Sequence, residues 1–164
     1  MKNEVDSKAM SIMSHQQQNP FEGQHMKGEE NFQDMGEEGE EGEKNGKREI
    51  RKTYYEDGTL RTKMWYRDDK KHREDGPAHV FYCDNGNLRN EEWYRDGKKH
   101  REDGPANVIY YENGVSYIEE WCRNGKTHRE DGPAWVVYEN GNKDLEIWYR
   151  DGKKQRIKWG ICCC

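Results

Sequence analysis

The heptapeptide HREDGPA stands at residues 72–78 and returns at residues 100–106 and 128–134, each time after 28 residues. A column of tryptophans follows nearly the same step, at Trp65, Trp93, Trp121 and Trp148. A constant period of this length is the signature of a repeat architecture, in which each unit packs against its neighbours. The sequence therefore predicts an array of similar units with a period of 28 residues.

Each unit has the pattern of a β-hairpin. In the second unit, Val80 and Tyr82 alternate with His79 and Phe81, which is the period-2 pattern of a strand. Asn85-Gly86 then supplies a turn. Residues 88–94 form a second predicted strand, and Asp96-Gly97 a second turn, before a return strand that Pro105 interrupts because it has no N–H. No segment has a helical stripe. The fold class predicted is all-β: a single antiparallel sheet of about four repeated hairpins, arranged as a β-solenoid or meander array.

The two ends of the array depart from the pattern. The first unit begins at about Glu49, and the last replaces HREDGPA by the basic stretch 154–159. Atypical, charged end units are expected where a strand has only one neighbour. The chain thus divides into a tail (1–48), a repeat domain (49–159) and a short cysteine-rich end (160–164).

The tail differs from the repeat domain in composition. Residues 1–48 carry a net charge of −5 and contain no Trp or Tyr, whereas the rest of the chain is neutral and holds all 16 of these residues. The acidic run 36–43 cannot bury enough surface to offset chain entropy, so we predict a disordered acidic tail. It either keeps the protein in solution or serves as an arm for a basic partner. The neutral repeat domain makes nucleic acid an improbable partner.

The repeat resembles a known family. Trp-Tyr-x-Asp/Asn-Gly-Lys, followed by an aromatic strand and a Glu-Asn-Gly turn, is similar to the MORN repeat over about residues 50–159. The longer variant with HREDGPA resembles the runs found in proteins of giant DNA viruses. Ordinary units of the family, for which phospholipid binding or dimerisation is proposed, are shorter and carry extra Gly where this chain has Arg-Glu-Asp. The motif identifies the repeat and leaves the function open.

The repeated His, Glu and Asp residues are candidate catalytic or metal-binding groups. Successive units should advance by two strands, about 9.6 Å, and histidines that far apart cannot share one ion whose ligands lie at about 2 Å. We therefore expect turn hydrogen bonds and Arg–carboxylate pairs at these positions. No catalytic, cofactor-binding or metal-binding residue is predicted, and the protein is expected not to be an enzyme.

The tryptophan column has two interpretations. Because aliphatic residues are few, the indoles are expected to supply much of the core. Alternatively, a sheet has two faces, so Trp65, Trp93, Trp121 and Trp148 could form a partly exposed interaction strip.

The cysteines fall into two groups. Cys83 and Cys122 are interpreted as small hydrophobic residues in a reducing compartment. Three adjacent thiols close the chain and are candidates for S-acylation or for an exposed reactive tail; they are Cys162, Cys163 and Cys164. Basic residues just before them are candidate contacts to an anionic membrane surface; they are Lys153, Lys154, Arg156 and Lys158.

These observations favour a non-enzymatic repeat module for protein interaction or scaffolding. The alternative is a peripheral membrane protein tethered through acylated terminal cysteines and the basic residues beside them. No signal-peptide pattern or apolar run of about 20 residues is present, so a cytoplasmic protein is expected, in the host cell if the chain is viral. The oligomeric state stays open.

Overall fold

The described part of the chain is built of strands and turns. The computed structural model describes the backbone of residues 27–32 and all of residues 46–160. No helix occurs within these two stretches, and most strands belong to one antiparallel sheet that does not close on itself. The predicted all-β class and the sheet of hairpins are confirmed at this level.

Fifteen strands follow in chain order: β1 (Lys27–Phe32), β2 (Arg48–Tyr54), β3 (Leu60–Arg67), β4 (Lys70–Lys71), β5 (His79–Tyr82), β6 (Leu88–Glu92), β7 (Tyr94–Arg95), β8 (Lys98–Lys99), β9 (Asn107–Tyr110), β10 (Ser116–Glu120), β11 (Cys122–Arg123), β12 (Lys126–Thr127), β13 (Trp135–Glu139), β14 (Asn142–Arg150) and β15 (Lys153–Trp159). The main sheet has the order β1-β2-β3-β5-β6-β9-β10-β13-β14-β15, and β4 pairs with β3. Two further pairs, β7–β8 and β11–β12, lie outside this sheet.

A unit contains two hairpins where the sequence predicted one. The predicted strand 88–94 breaks at Trp93, and β7–β8 form a separate two-stranded hairpin. Its turn has two residues of positive φ, Asp96 at 50° and Gly97 at 76°, the backbone that a two-residue hairpin requires. The return strand predicted to begin at Lys99 instead ends there, and the chain re-enters the main sheet at β9.

The small hairpins are joined by hydrogen bonds between their turns. The amide of Gly97 donates to the carbonyl of Lys71 at 2.9 Å, and the amide of Gly125 donates to that of Lys99 at 2.8 Å. Gly152 donates in the same way to Thr127 at 2.9 Å. Each small hairpin is thereby held to the one before it, beside the sheet.

The hydrophobic core lies in the C-terminal half. Five residues there are no more than 8% exposed and pack together: Ile118, Trp135, Val137, Leu145 and Ile147. In the N-terminal half, a buried pair of hydroxyls 2.6 Å apart, Thr53 and Thr62, is also in the interior. The expectation that the repeated tryptophans supply the core is wrong, since all four are only half-buried.

The structure adds a strand to the segment for which disorder was predicted. β1 lies within residues 1–48 and pairs antiparallel with β2, with Phe32 opposite Ile50. Residues 1–26 and 33–45 of that tail, and 161–164 of the C-terminal end, lie outside the described residues. No helix in the described stretches is long and apolar enough to cross a membrane.

Candidate functional site: the arginine–tryptophan ladder

Trp93 and Trp121 lie where the chain leaves the main sheet for a small hairpin, whereas Trp65 lies within β3 and Trp148 within β14. The backbone amides of Trp65, Trp93 and Trp121 donate to the carbonyls of three alanines, at 2.8, 2.8 and 2.7 Å. These are the alanines that end each heptapeptide, Ala78, Ala106 and Ala134, and all three are 0% exposed. The segment from each of these tryptophans to its alanine, whose second half is the heptapeptide, therefore begins and ends at one backbone contact.

An arginine stacks on every one of these indoles. The guanidinium carbon lies 4.2 Å from the ring centre of Trp65, 4.1 Å from Trp93, 3.8 Å from Trp121 and 3.7 Å from Trp148. The arginines are, in the same order, Arg73, Arg101, Arg129 and Arg156. At these distances the cation is attracted to the ring face. We call these four pairs the arginine–tryptophan ladder.

A glycine lies against the guanidinium in three of the pairs. A Cβ added at Gly104 would lie 2.7 Å from Cζ of Arg101, and at Gly76 and Gly132 the corresponding distances are 3.0 and 3.1 Å. None of the three has a positive φ. Glycine is needed here because the arginine occupies the space of a side chain, and not because the backbone is left-handed.

The same arginines hold the aspartates of the heptapeptide. Nε of Arg73, Arg101 and Arg129 donates to the carboxylate two residues later, at 2.8, 2.9 and 3.0 Å. These hydrogen bonds hold the pKa of each aspartate below its usual range. The carboxylates still face solvent, with side chains 81, 84 and 80% exposed at Asp75, Asp103 and Asp131.

The histidines connect one small hairpin to the next. Nδ1 of His72 accepts the amide of Asp96 at 3.1 Å, and His100 accepts that of Asn124 at the same distance. His128 accepts the amide of Asp151, also at 3.1 Å. The turn hydrogen bonds and Arg–carboxylate pairs expected from the sequence are both present.

A glutamate beside each histidine completes the surface of the unit. Nε2 of His72, His100 and His128 lies 3.4, 3.4 and 3.7 Å from the glutamate two residues later. The side chains of Glu74, Glu102 and Glu130 are 70, 72 and 74% exposed. Each unit therefore presents two adjacent carboxylates to solvent at the same place, which we call the carboxylate column.

A second cluster of charged groups surrounds Lys99. Nζ of Lys99 lies 3.0 Å from Glu92 and 3.5 Å from Glu120, and Nδ1 of His79 lies 2.8 Å from Glu92. Burial opposes ionisation of Glu92, but the hydrogen bonds and charges of His79 and Lys99 outweigh it and lower its pKa to about 2. Burial likewise opposes the charge on Lys99, and the two glutamates outweigh it and raise the pKa of the ammonium group. These groups neutralise one another, which is the arrangement of a structural network.

Two cavities open beside the ladder. One of about 440 Å³ is lined in the first unit by Trp65, His72 and Arg73, and one of about 310 Å³ by the matching Trp121, His128 and Arg129. Each has both guanidinium and carboxylate groups in its wall. Within residues 46–160, no three His, Cys, Asp or Glu side chains come together as metal ligands would.

The basic residues predicted to contact a membrane all lie on β15. Arg156 stacks on Trp148, and Nζ of Lys158 lies 3.2 Å from Glu146. Lys153 and Lys154 are exposed. The candidate lipidation sites Cys162, Cys163 and Cys164 fall outside the described residues.

Sequence reasoning missed the stacking of the arginines on the tryptophans, although a signal for it is present. In all four units an arginine stands eight residues after the tryptophan, even in the last, where the rest of the heptapeptide is lost.

The chain matches no protein-family model, and no curated protein or solved structure is significantly similar to it.

Proposed function

We propose that the protein is a non-enzymatic repeat module that binds another protein along the carboxylate column. In this proposal the array is a MORN-like solenoid that advances by one 28-residue unit at a time. The column is the observation that carries the proposal, because three units present the same pair of exposed carboxylates at the same place. A surface group that recurs in successive units can be bound by an extended partner.

The rigid setting of the column supports a binding role. The aspartates are held by arginines that are themselves stacked on indoles, and the glutamates lie beside half-buried or buried histidines. Groups that are already ordered lose little conformational freedom when a partner binds. The charged cluster around Lys99, in contrast, is paired internally and has little left to offer a ligand.

The spacing of the column specifies the partner. Two strands separate equivalent positions in adjacent units, which corresponds to about 10 Å. In an extended peptide of polyproline II conformation, side chains three residues apart lie on the same side and are separated by about 9 Å. The partner that fits is an extended segment with Lys or Arg at about every third residue.

The test is binding of such a peptide to the full chain, measured by calorimetry. Replacing Glu74, Glu102 and Glu130 together by Gln should weaken binding about tenfold or more, and added salt should weaken it further. A matched control replaces Glu56, Glu112 and Glu139 by Gln; these exposed glutamates lie in or next to hairpin turns, and the change in net charge is the same. Equal loss in both triple variants, or no binding, would refute the proposal.

A second candidate is a peripheral membrane protein held by acylated Cys162, Cys163 and Cys164. It is favoured by the position of Lys153 and Lys154, which are exposed on the last strand before these cysteines. Replacing the three cysteines by Ser should release the protein from membranes, and an attachment that survives would refute this candidate. In either role we place the protein in the cytoplasm, in keeping with the free thiols of Cys83 and Cys122.

A further inference from the structure

We propose that Asn140 is a site of spontaneous covalent modification, at which the side-chain amide is lost as ammonia and aspartate or isoaspartate is formed. Asn140 and Gly141 form the turn between β13 and β14. This turn is not part of the carboxylate column, so the inference is independent of the proposed function.

An asparagine followed by glycine is the pair most prone to this reaction, because glycine has no side chain to hinder its own nitrogen. The described residues contain four such pairs, and all their members are exposed: Asn85-Gly86, Asn113-Gly114, Asn124-Gly125 and Asn140-Gly141. The asparagine of a further pair, at residues 45–46, lies outside the described residues. Exposure therefore does not distinguish the four pairs, and their hydrogen bonds must do so.

The chemistry requires only water. The Gly141 nitrogen loses its proton to solvent and forms a bond to Cγ of Asn140, and the bond from Cγ to the side-chain nitrogen breaks to release ammonia. Water then adds to either carbonyl carbon of the cyclic imide that results. Opening at Cγ gives aspartate, and opening at the backbone carbonyl gives isoaspartate, whose main chain runs through the former side chain.

The amide of Gly141 differs from those of the other three glycines. Each of the other three donates to a backbone carbonyl, at 2.9, 2.9 and 2.8 Å: Gly86 to Cys83, Gly114 to Tyr111 and Gly125 to Lys99. Within residues 46–160, the amide of Gly141 has no acceptor. A hydrogen bond retains the proton and fixes the direction of the nitrogen, so only the Gly141 nitrogen is free to attack.

The acceptor is missing because the fourth unit is one residue shorter. The third unit has Tyr110-Tyr111-Glu112-Asn113-Gly114, and the fourth has only Tyr138-Glu139-Asn140-Gly141. The residue absent from the fourth unit is the equivalent of Tyr111, whose carbonyl accepts the glycine amide in the third. The loss of one residue thus leaves the Gly141 amide unpaired.

The Asn124-Gly125 turn is a matched comparison within the same chain. Its φ angles are 52° and 80°, against 50° and 77° at Asn140 and Gly141, so the two turns have nearly the same backbone. They differ in the hydrogen bond from Gly125 to the preceding small hairpin at Lys99. A difference in reactivity between these two turns therefore reports on that hydrogen bond.

The modification should weaken the end of the sheet that holds the core. It adds a negative charge beside the exposed Glu139, and isoaspartate also adds one atom to the main chain of a turn that sets Glu139 opposite Asn142. The strands joined by this turn carry the buried Val137 and Leu145. The modified chain should consequently unfold at a lower urea concentration than the unchanged one.

The test is incubation of the full chain at mildly alkaline pH, followed by digestion and mass spectrometry, with isoaspartate detected by enzymatic methylation of its carboxylate. In the native chain we expect Asn140 to be modified about fivefold or more faster than Asn124, since the hydrogen bond of Gly125 must break first. In urea the two should react at similar rates, because both are followed by glycine and neither amide is held. Equal rates in the native chain, or the same difference in urea, would overturn the proposal.

An insertion variant tests the reason for the difference. Adding one Tyr between Tyr138 and Glu139 reproduces the loop of the third unit and supplies the missing carbonyl. Modification of Asn140 should then slow to about the rate of Asn113, whereas inserting the same residue after Gly160, beyond the last strand, should leave it unchanged. Asn140 reacting as fast in the first variant as in the unchanged chain would refute the role assigned to the free amide. The comparison of Asn140 with Asn124 in the unchanged chain does not depend on the folding of either variant.

Discussion

Replacing Gly104 by Ala tests whether the arginine–tryptophan ladder stabilises the fold. The added Cβ would lie 2.7 Å from Cζ and 2.8 Å from Nε of Arg101, so the guanidinium must leave its stacked position on Trp93. The Arg101 side chain is 27% exposed, and losing its stack should cost about 1 kcal/mol. Crowding at a tightly packed site adds about 1 kcal/mol.

A smaller effect acts in the opposite direction. Ala restricts the unfolded chain more than Gly does, which raises the free energy of unfolding by about 0.5–1 kcal/mol where φ is not positive. The expected net loss is about 1 kcal/mol in the free energy of unfolding. The Gly76 and Gly132 variants should lose less, because their contacts are longer, at 3.0 and 3.1 Å.

A double-mutant cycle with Arg101→Met isolates the contact. With the guanidinium gone, Gly104→Ala should be neutral or stabilising, which corresponds to a coupling energy of about 1.5–2 kcal/mol. Urea unfolding followed by Trp fluorescence measures all four proteins. The same loss in both backgrounds, or a gain in stability in the unchanged chain, would refute the reasoning.

Three further predictions concern single side chains. The Tyr111 hydroxyl donates to the carbonyl of Tyr138 at 3.1 Å, and Cys83 occupies the position equivalent to Tyr111 in the preceding unit. Cys83→Tyr should therefore add about 1 kcal/mol of stability through a matching hydrogen bond. A lower melting temperature would contradict this. The pKa of Glu92 falls from 4.5 to about 2 on folding, so its contribution is present above pH 4.5 and is lost as the pH falls toward 2. In the Glu92→Gln variant, the free energy of unfolding should therefore fall less steeply as the pH is lowered from 4.5 toward 2. The same pH dependence in the variant and the unchanged chain would argue against the network. Burial raises the pKa of the Cys122 thiol to about 12, so iodoacetamide should leave it unmodified in the native protein at mildly alkaline pH; labelling as fast as in urea would show that the site is open.

Local pattern was enough to identify strands and turns. Asn85-Gly86 and Asp96-Gly97 were predicted as turns, and both precede strands of the structure, at β6 and β8. These predictions succeed because a tight turn depends on the φ that its own residues tolerate. The break at Trp93 was missed, because nothing in the residues around it shows that the chain leaves the main sheet there.

The candidate site was predicted only in outline. Pairing of Arg with Asp follows from residue types two positions apart, whereas the histidine of one unit accepts the amide of a turn residue 24 positions later. The stack of Arg101 on Trp93 joins residues eight positions apart across a hairpin, and it depends on how that hairpin is placed beside the sheet. The same is true of Lys99, which meets glutamates from two strands of the main sheet.

The sequence by itself determined the repeat, the all-β class and the contrast between an acidic N-terminal region and a basic last strand. These depend on composition and on short-range backbone preferences, which act within one unit. Only the tertiary structure decided that each unit has a second hairpin, that the glycine before Pro105 makes room for an arginine, and that the core is largely aliphatic and lies toward Ile147. The physical reason is that burial and stacking are contacts between different strands and hairpins, and such contacts exist only once these elements lie side by side.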